Sequence, residues 1–110
     1  ANHANEFDHH VDAALGALRG CGVQLLNQAV LLAGVNDSAD ALVALSERSF
    51  AAGVLPYYLH QLDRVQGVAH FQVSDQAARD LLEQVHRRLS GYLVPRLVCE
   101  IAGDSGKRPL

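Results

Sequence analysis

The sequence predicts an α/β fold of order α-β-α-β-α-β, a segment with three parallel strands that forms part of a larger (β/α) barrel or open sheet. Two observations predict it. Stretches with apolar residues at helical spacing alternate with short runs rich in branched and aromatic residues, and Gly, Ser, Asp and Asn punctuate the boundaries. Helix-containing connections between successive strands specify parallel pairing with right-handed crossovers.

The first helix is predicted from Phe7 to Arg19, where Val11, Ala14, Leu15 and Leu18 share a face and Gly20 and Gly22 supply the stop. Val23 to Ala33 is an apolar run closed by Gly34, which fits a strand buried on both faces; its two central amides, Asn27 and Gln28, are the oddity. Asn36, Asp37 and Ser38 offer N-caps for a second helix bearing Ala41, Leu42, Leu45 and Ser49, with Gly53 as its stop. Val54 to Leu62 reads as the second strand, with Pro56 arguing that its ladder begins after that residue. A loop from Asp63 to Val73 follows. Ser74 caps a third helix with apolar Ala78, Leu81, Leu82, Val85 and Leu89, ended by Gly91. The last strand runs from about Arg96 to Ile101, and a small-residue loop is predicted from Ala102 onward.

Three strands cannot close a barrel, and a three-stranded parallel layer leaves open edges and an uncovered apolar face. The expectation is either a partner segment or self-association. At 110 residues the chain is one domain or a piece of one. It begins at Ala1 and contains no methionine, so the expectation is that a further segment precedes Ala1.

A formal charge of -3 without a basic stripe, and few aromatic residues, argue against nucleic acid as a partner. No apolar run approaches the roughly 20 residues that span a bilayer, and the first residues lack a signal-peptide pattern. A soluble, cytoplasmic protein with no membrane partner is expected. Cys21 and Cys99 lie far apart without Cys-x-x-Cys spacing and read as buried free thiols.

Ligands in parallel α/β folds gather at the carboxyl ends of the strands. Asn36-Asp37, the stretch from Asp63 to His70, and the stretch from Asp104 to Lys107 all fall on that rim. Gln28, inside an apolar strand, is either tied into a structural network or faces a ligand, since an unsatisfied buried amide costs roughly 1 to 3 kcal/mol. Asp63 and Glu100 lie at or near the ends of successive strands; together they could hold an ammonium group, bind a metal or do acid–base work, or each could pair with an arginine or face water. His60 and His70 lack His-x-x-His or His-Glu-x-x-His spacing, which leaves no metal motif. Lys107 is the only lysine and follows Gly-Asp-Ser-Gly, a loop with no Walker pattern; alone it reads as a solvated tail residue or as an amine able to carry a carbonyl cofactor.

Taken together, the segments resemble the radical S-adenosylmethionine aminomutases of the lysine 2,3-aminomutase family, closest to the branch that acts in elongation factor P modification. The carrying residues are Asn2-His3, Asn27 to Leu32, Gly34-Val35-Asn36-Asp37, Leu55-Pro56-Tyr57-Tyr58 through Asp63, His70-Phe71, Ser90-Gly91, Val94-Pro95, and Gly106-Lys107 with Pro109-Leu110. Each is weak alone, and their order and spacing make the resemblance specific.

The resemblance implies that residues 1–110 are the C-terminal portion of a partial (β/α) radical S-adenosylmethionine barrel that converts L-α-lysine to β-lysine by radical 1,2-amino migration. It implies pyridoxal phosphate on Lys107, S-adenosylmethionine touching Gln28, and the distal ammonium of substrate lysine on Asp63 with Glu100, which stands where free-lysine enzymes use Asp. A 4Fe-4S cluster would generate the hydrogen-abstracting radical. The family's Cys-x-x-x-Cys-x-x-Cys cluster motif is not in this sequence, so the cluster would be bound by a missing N-terminal portion and the 110 residues alone are expected to be inactive. Two alternatives stand beside this reading: a non-catalytic half-barrel that self-associates, and an aminomutase for another amino acid.

Overall fold

The computed structural model describes residues 1–61, 72–100 and 107–109, and for Glu100 and residues 107–109 it describes the backbone alone. After a 3₁₀ turn at Ala4–Glu6, the order is α1 (His9–Gly20), β1 (Leu25–Leu31), α2 (Ala39–Ala51), β2 (Val54–Gln61), α3 (Asp75–Arg88), a 3₁₀ turn at Gly91–Leu93, β3 (Arg96–Glu100) and β4 (Lys107–Pro109). The sheet runs β1-β2-β3-β4. Its first three strands are parallel, as predicted, and β4 is antiparallel to β3.

Local chemistry sets the helix starts. Asp8, Ser38 and Ser74 each accept a hydrogen bond from a backbone N–H in the first turn, of Val11 (2.8 Å), Ala41 (3.1 Å) and Ala77 (3.2 Å) respectively. Asp8 therefore stands outside α1, which starts two residues later than the apolar pattern suggested. Gly53 turns the chain from α2 into β2 at φ +83°, a conformation that L side chains rarely adopt.

The core lies on one face of the sheet. Ala29 and Leu31 of β1 and Leu59 of β2 pack with Leu42, Val43 and Leu45 of α2 and Ala78, Leu82 and Val85 of α3, and Val73 and Val94 close the margin. The alternate residues of the strands turn the other way. Leu26 and Gln28 are exposed, and Val30, Tyr58 and His60 only half-buried. The prediction that β1 is buried on both faces is thus corrected: its burial alternates, because among the described residues the helices cover only the side of Ala29 and Leu31. Its extent is corrected too, since the ladder starts where Leu25 meets Val54.

Pro56 lies within β2 and not before it. The strand accommodates it at an irregularity: Asn27 pairs with Pro56 and Gln28 with Tyr58, leaving Tyr57 as an extra residue. β3 pairs only from Tyr58 onward, so Pro56 sits where β2 has one neighbour and its missing N–H breaks no second ladder.

A second correction concerns the region read as a loop from Ala102 onward. Residues Lys107–Pro109 form a short edge strand with Val98 opposite Pro109, Cys99 opposite Arg108 and Glu100 opposite Lys107. Three residues are too few to carry an alternation, and the pairing comes from the neighbouring strand. The cysteines are corrected as well. Cys21 is exposed, following a helix that buries none of its residues, and Cys99 is half-buried.

α1 keeps its apolar stripe open: Val11 is 37% and Leu18 50% exposed. It is tied to α2 by an ion pair between Asp12 and Arg48 at 2.6 Å, and the Arg48 guanidinium also lies over the Phe7 ring, 5.3 Å from its centroid. No described helix is long and apolar enough to cross a membrane.

Candidate functional site

Of the residues that the sequence singled out, Gln28 and His60 lie on the open face of the sheet, and Glu100 and Lys107 lie at the carboxyl end of β3. Gln28 is exposed near the middle of β1. The cost of burying an amide does not apply to it, and its partner comes from the next strand: His60 Nε2 lies 2.9 Å from Gln28 Oε1. Parallel register explains the contact. Gln28 is opposite Tyr58, so His60, two residues along the same face, is its diagonal neighbour. The Tyr58 ring meets the His60 ring edge-on at 5.9 Å, and Tyr57 and Tyr58 have their centroids 4.2 Å apart. The result is a polar pair set in an aromatic and aliphatic surface, with Leu26 and Val30 on the β1 side.

Lys107 and Glu100 are directly opposite each other across β3 and β4, at the carboxyl end of β3. A carboxylate-bearing residue and the only lysine of the chain are thereby brought to one place on the rim. Gln28 is not brought to them: β1 and β4 are the two outer strands, three interstrand spacings or about 14 Å apart across the sheet. Asp63 and His70 lie outside the described residues.

Asn36, also predicted for the rim, has a structural place. It is fully buried, its Oδ1 accepts from the backbone N–H of Leu32 at 2.8 Å, and its Nδ2 donates to the carbonyl oxygens of Val30 and Asn2, each at 2.9 Å. Asn2 in turn accepts from the Val30 N–H at 2.8 Å, and the Ala1 amino group donates to Asn27 at 2.7 Å. These bonds satisfy the outer edge of β1 with side chains in place of a neighbouring strand. Asp37 accepts from the Gly34 N–H at 2.9 Å and fixes the turn that follows β1.

Gln61, buried at the end of β2, donates through Nε2 to the Val73 carbonyl and reaches Asp75 Oδ1 at 3.4 Å. It anchors the entry to α3. Among the described residues, no three His, Cys, Asp or Glu groups come together as metal ligands.

His60 and Tyr58 are the site residues that the sequence did not place. The sequence offers His60 only as a metal ligand, for which its spacing is wrong. The available signal was that two polar residues, Gln28 and His60, interrupt apolar runs on successive parallel strands; the register that joins them includes the irregularity at Pro56 and is not written in either strand alone.

No protein-family model matches the chain. It is similar over 109 residues, at 55% identity, to an L-lysine 2,3-aminomutase of Escherichia coli strain K12, covering 99% of this chain and 32% of that protein. Proteins of the same name from Haemophilus influenzae and Methanococcus maripaludis are 50% and 37% identical over 106 and 109 residues, with 96% and 99% of this chain and 31% and 25% of theirs covered. The chain is homologous along essentially its whole length to part of these enzymes, and it spans about a third of the length of the first two and a quarter of the third.

Proposed function

We propose that the chain is the C-terminal portion of an L-lysine 2,3-aminomutase, an isomerase that moves the α-amino group of lysine to the β carbon by radical chemistry. The observation that carries the reading is the 55% identity to the Escherichia coli enzyme across 109 of 110 residues. With it go the cytoplasmic location and the use of the β-lysine product in modifying elongation factor P.

The residues present fit two of the three groups that such an enzyme uses. Gln28 offers an exposed carboxamide on the open sheet face, suited to hydrogen bonding with S-adenosylmethionine. Lys107, backbone-placed at the carboxyl end of β3, supplies the one amine of the chain that can hold pyridoxal phosphate covalently. Two cysteines on separate elements do not fit a cluster bound by three, so the 4Fe-4S cluster is assigned to residues outside this chain. When bound, pyridoxal phosphate and S-adenosylmethionine supply, respectively, a conjugated system that spreads an unpaired electron and the group that abstracts a hydrogen.

What this chain contributes is positioning. Asp63 and Glu100 provide negative charge for the distal ammonium of lysine, with Glu100 directly across the ladder from Lys107. Leu26, Val30 and Tyr58 flank Gln28 with apolar surface that a bound cofactor would cover, shielding the hydrogen bonds of its carboxamide from water.

The test is β-lysine formation by the complete protein containing this chain, supplied with lysine, S-adenosylmethionine, pyridoxal phosphate and reductant. Lys107→Ala should abolish turnover and the pyridoxyl label fixed by borohydride while the iron–sulfur absorbance persists. The 110-residue chain by itself should form no β-lysine. A label retained in Lys107→Ala would move the cofactor lysine elsewhere, and β-lysine formed by the chain alone would overturn the division of roles.

A further inference from the structure

We infer that His60 is a positioning residue that fixes the hydrogen-bond polarity of Gln28, so that Gln28 offers N–H donors, and not its oxygen, to an acceptor oxygen of S-adenosylmethionine. The inference rests on the proposed assignment of Gln28 to that cofactor and goes beyond it by naming the group that orients the amide and the chemistry that the amide can recognise.

The argument starts from the 2.9 Å separation of His60 Nε2 and Gln28 Oε1. An amide oxygen only accepts, so the hydrogen of this bond is on Nε2 and the imidazole donates. Both the neutral Nε2–H tautomer and the imidazolium satisfy this requirement. With Oε1 engaged by His60, the amide nitrogen of Gln28 is turned away from the ring, and Gln28 is itself exposed. A glutamine side chain without such a partner exchanges its donor and acceptor ends by rotation about its terminal bond, and a ligand must then select one of them. With its hydrogen on Nε2, His60 makes that selection before the ligand arrives.

His60 is held in turn by its surroundings. Its place is set by the β1–β2 register, and the Tyr58 ring packs edge-on against it at 5.9 Å. The ligand chemistry follows from the exposed amide nitrogen: an oxygen acceptor, of which the carboxylate of S-adenosylmethionine is the strongest. A ligand group that donates hydrogen bonds would find on Gln28 only the second lone pair of an oxygen already engaged by His60.

The experiment measures equilibrium binding of S-adenosylmethionine to the complete enzyme and the KM for lysine, with circular dichroism as the check on folding. His60→Phe should weaken S-adenosylmethionine about 3- to 10-fold, the weight of one oriented hydrogen bond, and leave the lysine KM within about 2-fold. His60→Gln, which keeps an N–H donor, should recover most of the loss. In a Gln28→Ala background, His60→Phe should have no further effect, because the residue through which His60 acts is gone. Gln28→Glu keeps an acceptor for His60 but has no N–H to offer, and should bind at least as weakly as Gln28→Ala; this variant tests the polarity even if His60→Phe does not fold. Equal effects of His60→Phe in both backgrounds, or near wild-type binding by Gln28→Glu, would overturn the inference while leaving the aminomutase reading intact. A wild-type enzyme that does not bind S-adenosylmethionine would overturn both.

Discussion

Asn36→Ala should destabilise the chain by about 3 kcal/mol, more than any other single polar truncation on the rim. The structure gives the terms. Asn36 is fully buried and makes three hydrogen bonds to main-chain groups, at 2.8, 2.9 and 2.9 Å. Each is worth about 1 kcal/mol net, and the Leu32 N–H and the Val30 and Asn2 carbonyls that remain have no helix or strand to turn to. For a domain of this size, about 3 kcal/mol corresponds to a fall in Tm of roughly 13 °C, or a urea midpoint lower by about 1 to 3 M. Asn36→Asp preserves the shape and one acceptor but loses both donors and points a carboxylate at two carbonyl oxygens, so it should be no better. Asp37→Ala is the contrast: Asp37 is exposed and holds one bond, to the Gly34 N–H, and its loss should cost about 1 kcal/mol or less. Urea unfolding followed by circular dichroism on the three variants decides the matter. If Asn36→Ala lay within about 1 kcal/mol of wild type, or matched Asp37→Ala, the edge of β1 would not depend on this side chain and the reasoning would be refuted.

Other expectations follow from single contacts. Ser74→Ala removes the cap on Ala77 N and should cost about 1 kcal/mol, recovered largely by Ser74→Asp, as read by the thermal midpoint. Arg48→Ala should barely move global stability, since the ion pair with Asp12 is partly exposed, yet amide exchange along α1 should accelerate because that helix buries no residue of its own. Gly53→Ala forces a Cβ onto a φ of +83° and against the Arg19 side chain, and should cost about 1 to 2 kcal/mol in urea unfolding. In the complete enzyme, Asp63→Asn should lower kcat/KM for lysine by about 10- to 150-fold with cofactor binding unchanged, as one charge-assisted hydrogen bond requires; unchanged turnover would remove Asp63 from the ammonium site.

Much of this fold was legible because its signals are local. Ser38 and Ser74 announce their helices by side-chain chemistry, and the core face of α3 is written as Ala78, Leu82 and Val85 at helical spacing. What could not be read was cooperative between strands. Pro56 reads as the point after which the ladder begins, and only the one-sided pairing of that part of β2 lets the ladder start before it. β4 exists through β3, and the exposure of one β1 face depends on which side the helices take. The site divides in the same way. Gln28, Glu100 and Lys107 stood out as residue types in unusual places, whereas the Gln28–His60 contact required the register across the irregularity at Pro56.

That dependence gives the irregularity a functional meaning. Were β2 paired with β1 without the extra residue, Gln28 would face Tyr57 and its diagonal neighbour would become Leu59, a residue now fully buried among the helices. One inserted position thus changes which alternate residues of β2 share a face with Gln28, exchanging an aliphatic neighbour for an imidazole. Pro56 sits directly ahead of the added residue and cannot donate to a ladder, which disfavours the regular alternative. The proline directly ahead of the added residue is therefore part of what delivers His60 to Gln28, and deleting Tyr57, which removes the extra residue while keeping Gln28 opposite Tyr58, should leave the histidine on the open face in a regular ladder.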